Sequence, residues 1–203
     1  MSDKYMTRSE ISDAIRRIRN GDGGHYRVIV DEYKDRLYAF LWRIVRNHHE
    51  AEDLTQATFV RAFESLDRYS DRYSFSTWLF TIGYRLTLNR LRKKRALNTE
   101  VDWDRVGAEA TDTSETVASS ELARDLKKRI WSAVDQLSDE QRESLILFYQ
   151  ENQSCKEIGE ILGIPAVTVK SHLHRAREKL RDLLGSVAEE WTTIPFPLNA
   201  ESA

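Results

Sequence analysis

Apolar residues recur every three or four positions along most of this chain, and no alternating run is long enough for a strand, so the pattern predicts an all-α protein. Thr7 and Glu10 have capping-box spacing and open a first helix to about Asn20, where residues 21–24, GDGG, end it. A second helix over residues 25–46 carries Tyr26, Ile29, Val30, Tyr33, Leu37, Phe40, Leu41 and Ile44 on one face. A third, residues 48–66, turns Leu54, Phe59, Ala62, Phe63 and Leu66 inward and leaves Glu52, Asp53, Gln56 and Val60 on a different side. Residues 67–74, DRYSDRYS, are polar, aromatic and turn-prone and predict a loop. A fourth helix, residues 75–95, buries Trp78, Leu79, Ile82 and Leu86 and shows Arg85, Asn89, Arg92 and Lys93 on the other side.

The periodicity fails over residues 96–120, which are acidic and rich in Thr and Ser, so they read as a linker. Helices return at residues 121–136 and 139–150, the latter capped by Ser138 with Gln141. Residues 154–184, SCKEIGEILGIPAVTVKSHLHRAREKLRDLL, then hold two helices and a tight turn. Ser154 and Glu157 cap the first, Ile158, Ile161 and Leu162 form its stripe, Gly163 stops it, and Pro165 suits the boundary before the second. In that second helix Val169, Leu173, Ala176, Leu180 and Leu184 face inward, and Thr168, Lys170, Ser171, His172, His174, Arg175 and Lys179 take the other faces. Such a helix can reach phosphates and base edges in a major groove, which makes DNA the leading ligand. The domains read as residues 1–95, a linker 96–120, residues 121–185 and a tail 186–203 without periodicity. The tail's Trp191, Ile194, Phe196 and Leu198 give it apolar surface with which to dock.

Composition adds little until it is divided. The 203 residues are 40% hydrophobic with net charge −2, which argues against non-specific coating of nucleic acid. Between residues 81 and 95, however, lie Arg85, Arg90, Arg92, Lys93, Lys94 and Arg95 with no acidic residue. Residues 96–120 carry Glu100, Asp102, Asp104, Glu109, Asp112 and Glu115 against Arg105 alone. Cys155 is the single cysteine, so no internal disulfide forms, and the start of the chain has no apolar stretch of an export signal. No run approaches a membrane span, and a cytoplasmic protein is expected.

Residues 51–63, AEDLTQATFVRAF, followed by the aromatic loop and then by residues 75–95, FSTWLFTIGYRLTLNRLRKKR, resemble the sigma-70 family of bacterial RNA polymerase sigma factors, in its extracytoplasmic-function (ECF) group. The resemblance covers residues 26–95 and 125–184. It implies two small helical domains, region 2 and region 4, and a protein that binds core RNA polymerase and promoter DNA without catalysing a reaction. Asp53, Gln56 and Val60 would then meet a coiled coil of the polymerase β′ subunit. Tyr69, Tyr73 and Phe75 would stack bases of a single-stranded −10 element beside Arg85, Asn89, Arg92 and Lys93. Thr168, Lys170, Ser171, His172, His174 and Arg175 would read a −35 element as duplex. The resemblance also admits an anti-sigma factor as a partner. A linker of 25 residues reaches at most about 80–90 Å, enough for elements roughly 70 Å apart, and its charge suits mimicry of an RNA backbone.

A LuxR-type regulator resembles the last two helices almost as well, but it calls for an alternating β and α receiver upstream that residues 1–95 do not show. No Gly-rich phosphate loop, HExxH or nucleophile elbow is present. The five histidines, 25, 48, 49, 172 and 174, form no constellation; His48 and His49 read as surface residues at a helix start. No catalytic residue, metal or cofactor is therefore expected.

Overall fold

The computed structural model describes residues 6–70, 72–97 and 121–185. They form α1 (Arg8–Arg19), α2 (His25–Val45), α3 (His48–Glu64), α4 (Phe75–Leu97), α5 (Glu121–Asp135), α6 (Asp139–Tyr149), α7 (Cys155–Leu162) and α8 (Ala166–Leu184). A single 3-10 turn, Leu66–Arg68, follows α3, and there is no strand among the described residues. Nor is any helix there long and apolar enough to cross a membrane. The acidic spacer beyond Leu97 and the tail from residue 186 lie outside the described residues.

Two compact units account for these helices. In the first, α2 packs against α1, α3 and α4. Thr7 opens α1 with a full capping box: the Glu10 N–H donates to the Thr7 hydroxyl at 3.3 Å, and the Thr7 N–H to the Glu10 carboxylate at 2.7 Å. Arg46, with φ 51°, turns the chain out of α2, and Asn47 accepts the Glu50 N–H at 3.0 Å to start α3. Ile29, Leu37, Phe40, Leu41, Leu79 and Phe80 are essentially sealed from solvent, and each such side chain contributes about 1.5–3 kcal/mol relative to exposure.

Polar residues enter this core by bonding to their own helix. The hydroxyls of Thr55, Thr58 and Thr87 donate to the carbonyls of Ala51, Leu54 and Gly83 at 2.7, 2.6 and 2.9 Å. Gly83 permits the close approach of α4, since a Cβ there would stand 3.1 Å from Leu37 Cδ1 and 3.3 Å from Thr58 Oγ1. The apolar stripe of α4 is accordingly wider than its periodicity suggests. Phe75, Phe80 and Tyr84 are buried, whereas Trp78, Ile82 and Leu86 are half-buried.

Two further expectations change. Phe63, placed inward by the sequence, is 49% exposed. At about 100° per residue it falls on the row of Asp53, Gln56 and Val60 rather than with Leu54 and Ala62. His48 is packed at the α2–α3 corner, within 2.6 Å of the Tyr38 hydroxyl and against the Trp42 ring, whereas His49 is exposed.

In the second unit α8 packs against α5 and α6. Ser138 and Gln141 cap α6 reciprocally, and Ser154 and Glu157 do the same for α7. Gly163 leaves α7 with φ +72°, a conformation suited to glycine. One turn earlier, a Cβ on Gly159 would sit 2.6 Å from the Ile164 carbonyl oxygen, so the turn closes against bare backbone. Pro165 then stands in extended backbone just before α8, and Val169, Leu173, Ala176, Leu180 and Leu184 are all buried as the pattern predicted.

Candidate nucleic-acid interface

The outer row of α3 holds Asp53, Gln56, Val60 and Phe63, all exposed. Beside it lies a shallow groove of about 450 Å³ lined by Gly23, Tyr26, Phe59, Val60, Phe63 and Glu64. The Tyr26 ring meets the Phe63 ring edge-on at 4.8 Å, and its hydroxyl donates to the Phe59 carbonyl. Burial pushes the Tyr26 hydroxyl up to about 12 from its ordinary 10.0. The row thus begins with a carboxylate and amide and ends in apolar surface. Phe63 was missed as its member, though its spacing from Val60 was the available signal.

Hydrogen bonds hold both ends of the segment before α4. The Arg19 guanidinium donates to the carbonyls of Leu66 and Tyr69 at 2.7 and 2.6 Å, and the Ser74 hydroxyl accepts the Thr77 N–H at 3.2 Å. Tyr69 and Phe75, expected to stack on bases, are only 7% and 3% exposed. Their rings pack with each other at 5.5 Å, with Trp78 at 5.2 and 5.5 Å, and Phe75 also with Tyr33 at 5.5 Å. Apolar rings at both ends of a short loop bury each other; a run of polar neighbours in sequence hid this. Tyr73 keeps partial exposure, and so does Trp78. By helical spacing Trp78 heads the row that continues through Arg85, Asn89 and Arg92. Arg85, Asn89, Arg92 and Lys93 are all exposed, Arg92 donating to the Asn89 carboxamide. Lys94, by contrast, is paired with Glu50 of α3.

On α8 the basic and hydroxyl-bearing residues divide into two sets. Lys170, Ser171, His174 and Arg175 are exposed, and Thr168 is half-buried. His172 turns Nδ1 into the protein, on the side of α6 whose Glu140 lies within its electrostatic reach. The Glu140 carboxyl is held below the usual range by its own backbone N–H and the Ser138 hydroxyl, with smaller contributions from His172 and Arg142. The Arg177 guanidinium donates to the Tyr149 hydroxyl at 2.9 Å and lies 5.6 Å from the Phe148 ring centroid and 5.8 Å from that of Tyr149. Lys179 donates to the Gln136 carbonyl. Arg177 and Lys179 therefore tie the helix to α6 and to the segment before it, and His172 turns towards the same side. Among the described residues no group of three or more His, Cys, Asp or Glu could hold a metal ion.

Compared with known proteins, residues 29–97 match the family model described as Sigma-70 region 2, and residues 127–180 the one described as Sigma-70, region 4. The chain is similar to the ECF RNA polymerase sigma factor SigW of Bacillus subtilis, 37% identical over 184 residues that cover 86% of this chain and 96% of the relative. It is 33% identical to the RNA polymerase sigma factor CarQ of Myxococcus xanthus, over 86% of this chain and 97% of that one. Among solved structures it resembles the sigma factor RpoE in complex with the anti-sigma factor NepR from Bartonella quintana, with TM-score 0.66 and 26% identity over 79% of this chain and 97% of that chain. It also resembles CnrH in complex with the cytosolic domain of CnrY, with TM-score 0.58 and 25% identity over 87% and 96% of the two chains.

Proposed function

Because the chain belongs to the ECF group of sigma-70 RNA polymerase sigma factors, we propose how its surfaces divide the work of promoter-dependent initiation. The row Asp53, Gln56, Val60 and Phe63 on α3 binds core polymerase, polar residues fixing register and the apolar end contributing most of the affinity. The row on α4 made by Arg85, Asn89, Arg92 and Lys93 holds the −10 strand. Trp78 and Tyr73 take over the base-stacking role that the sequence suggested for Tyr69 and Phe75; a stacked base contributes about 1–3 kcal/mol, comparable with the cost of unpairing it. Thr168, Lys170, Ser171, His174 and Arg175 read the −35 duplex, and His172 positions their helix.

The observation that carries this reading is the exposure of three polar or aromatic rows on helices whose opposite faces are sealed cores. The LuxR-type alternative falls away, because residues 29–97 match sigma region 2 where a receiver would have to stand. An anti-sigma factor is a further proposed partner, since the solved relative RpoE was captured with one. The work of such a factor lies in the cytoplasm, with the polymerase doing the chemistry. Run-off transcription by core polymerase on genomic promoter fragments tests the whole reading: promoter-dependent product is expected with this chain, and none with a Gln56→Ala, Phe63→Ala double variant that remains folded. Loss of product with the native, folded chain on every fragment would overturn it.

A further inference from the structure

Val167, the second residue of α8, is 69% exposed, more than any other large apolar side chain among the described residues. At about 100° per residue it points roughly 160° away from Val169 of the buried stripe. Ser171, His174 and Glu178 follow it at intervals of four, three and four residues, and all are exposed. Val167 therefore stands at the head of the outward row of α8, in the first turn, where a recognition helix meets base edges. The Ser171 hydroxyl donates to the Val167 carbonyl at 3.2 Å, which spends its proton on the helix itself.

We propose that Val167 is a specificity-determining contact of the upstream reader and packs against the 5-methyl group of a thymine in the major groove. Valine offers no donor or acceptor, so neither a phosphate nor a hydrogen-bonding base edge rewards it. The thymine methyl is the apolar feature of the groove. Lys170 and Arg175 flank the row with positive charge, which favours a nucleic acid over an apolar protein surface as the occupant. The inference rests on α8 being the −35 reader.

Holoenzyme assembled from the full chain and core polymerase would be used to select binders from a promoter library randomised across the upstream element, with the native chain and with Val167→Ser. The native chain is expected to enrich a thymine at one position, on either strand, and Val167→Ser to lose that preference while keeping its melting temperature. Replacing that thymine by deoxyuridine removes only the methyl group; it should weaken native binding about fourfold and leave Val167→Ser binding unchanged. Absence of any Val167-dependent thymine, or an equal cost of deoxyuridine for both proteins, overturns the inference. Selection of no upstream sequence at all by the native holoenzyme would instead overturn the reading of α8 on which it stands.

Discussion

Phe63 presents about half its surface one turn beyond Val60 and rests edge-on against Tyr26. Truncating a half-exposed ring costs the fold little, whereas removing it from an interface anchor costs more than 1 kcal/mol in most well-packed cases. Phe63→Ala is therefore expected to weaken core polymerase binding by about tenfold with little change in unfolding temperature, as fluorescence titration and melting together would register. Tyr26 gives the same corner a pH signature. Its hydroxyl is pushed up to about 12 from 10.0 by burial, so the folded state holds the proton more tightly than the unfolded chain. The stability this contributes is complete below pH 10 and is lost as pH rises towards 12. Denaturation midpoints measured across that window should fall more steeply for the native chain than for Tyr26→Phe.

At the level of elements, the turn between α7 and α8 is the place where two backbones nearly touch. Alanine in place of Gly159 gains about 1 kcal/mol of helix preference, but its Cβ would stand 2.6 Å from a carbonyl that no side-chain rotation can move. Gly159→Ala is expected to lose about 1–3 kcal/mol on balance, visible in chemical denaturation, and to weaken upstream duplex binding in parallel. This turn was legible from residues 154–184 because its caps, its glycine and its buried stripe are local signals. The core face of α4 was legible only in part. Thr77, Gly83 and Thr87 are buried there, and nothing in their chemistry announces it until α2 and α3 close over them. The burial of Tyr69 and Phe75 escaped for a related reason, since it depends on Arg19 from α1 fixing the chain that carries Tyr69. On α8 the stripe was plain, but the outward residues could not be sorted into those left free of the fold and those that reach α6 and the segment before it. Arg177 finds Tyr149, 28 residues away, and no periodicity encodes that.

Across the whole molecule, two cores of separate composition support surfaces whose net charge nearly cancels, −2 over 203 residues, so affinity for DNA depends on where individual cations are placed. Arg177 and Lys179 are spent on Tyr149 and Gln136. Counterions released from a duplex report which cations actually reach phosphates: each contact steepens the dependence of log affinity on log salt concentration by about 0.9. For promoter binding by the holoenzyme, Lys170→Gln should flatten that slope by about 0.9, whereas Arg177→Gln and Lys179→Gln should leave it unchanged even where they lower affinity. A helix whose sequence holds many positive charges would then behave in a salt titration like one with far fewer.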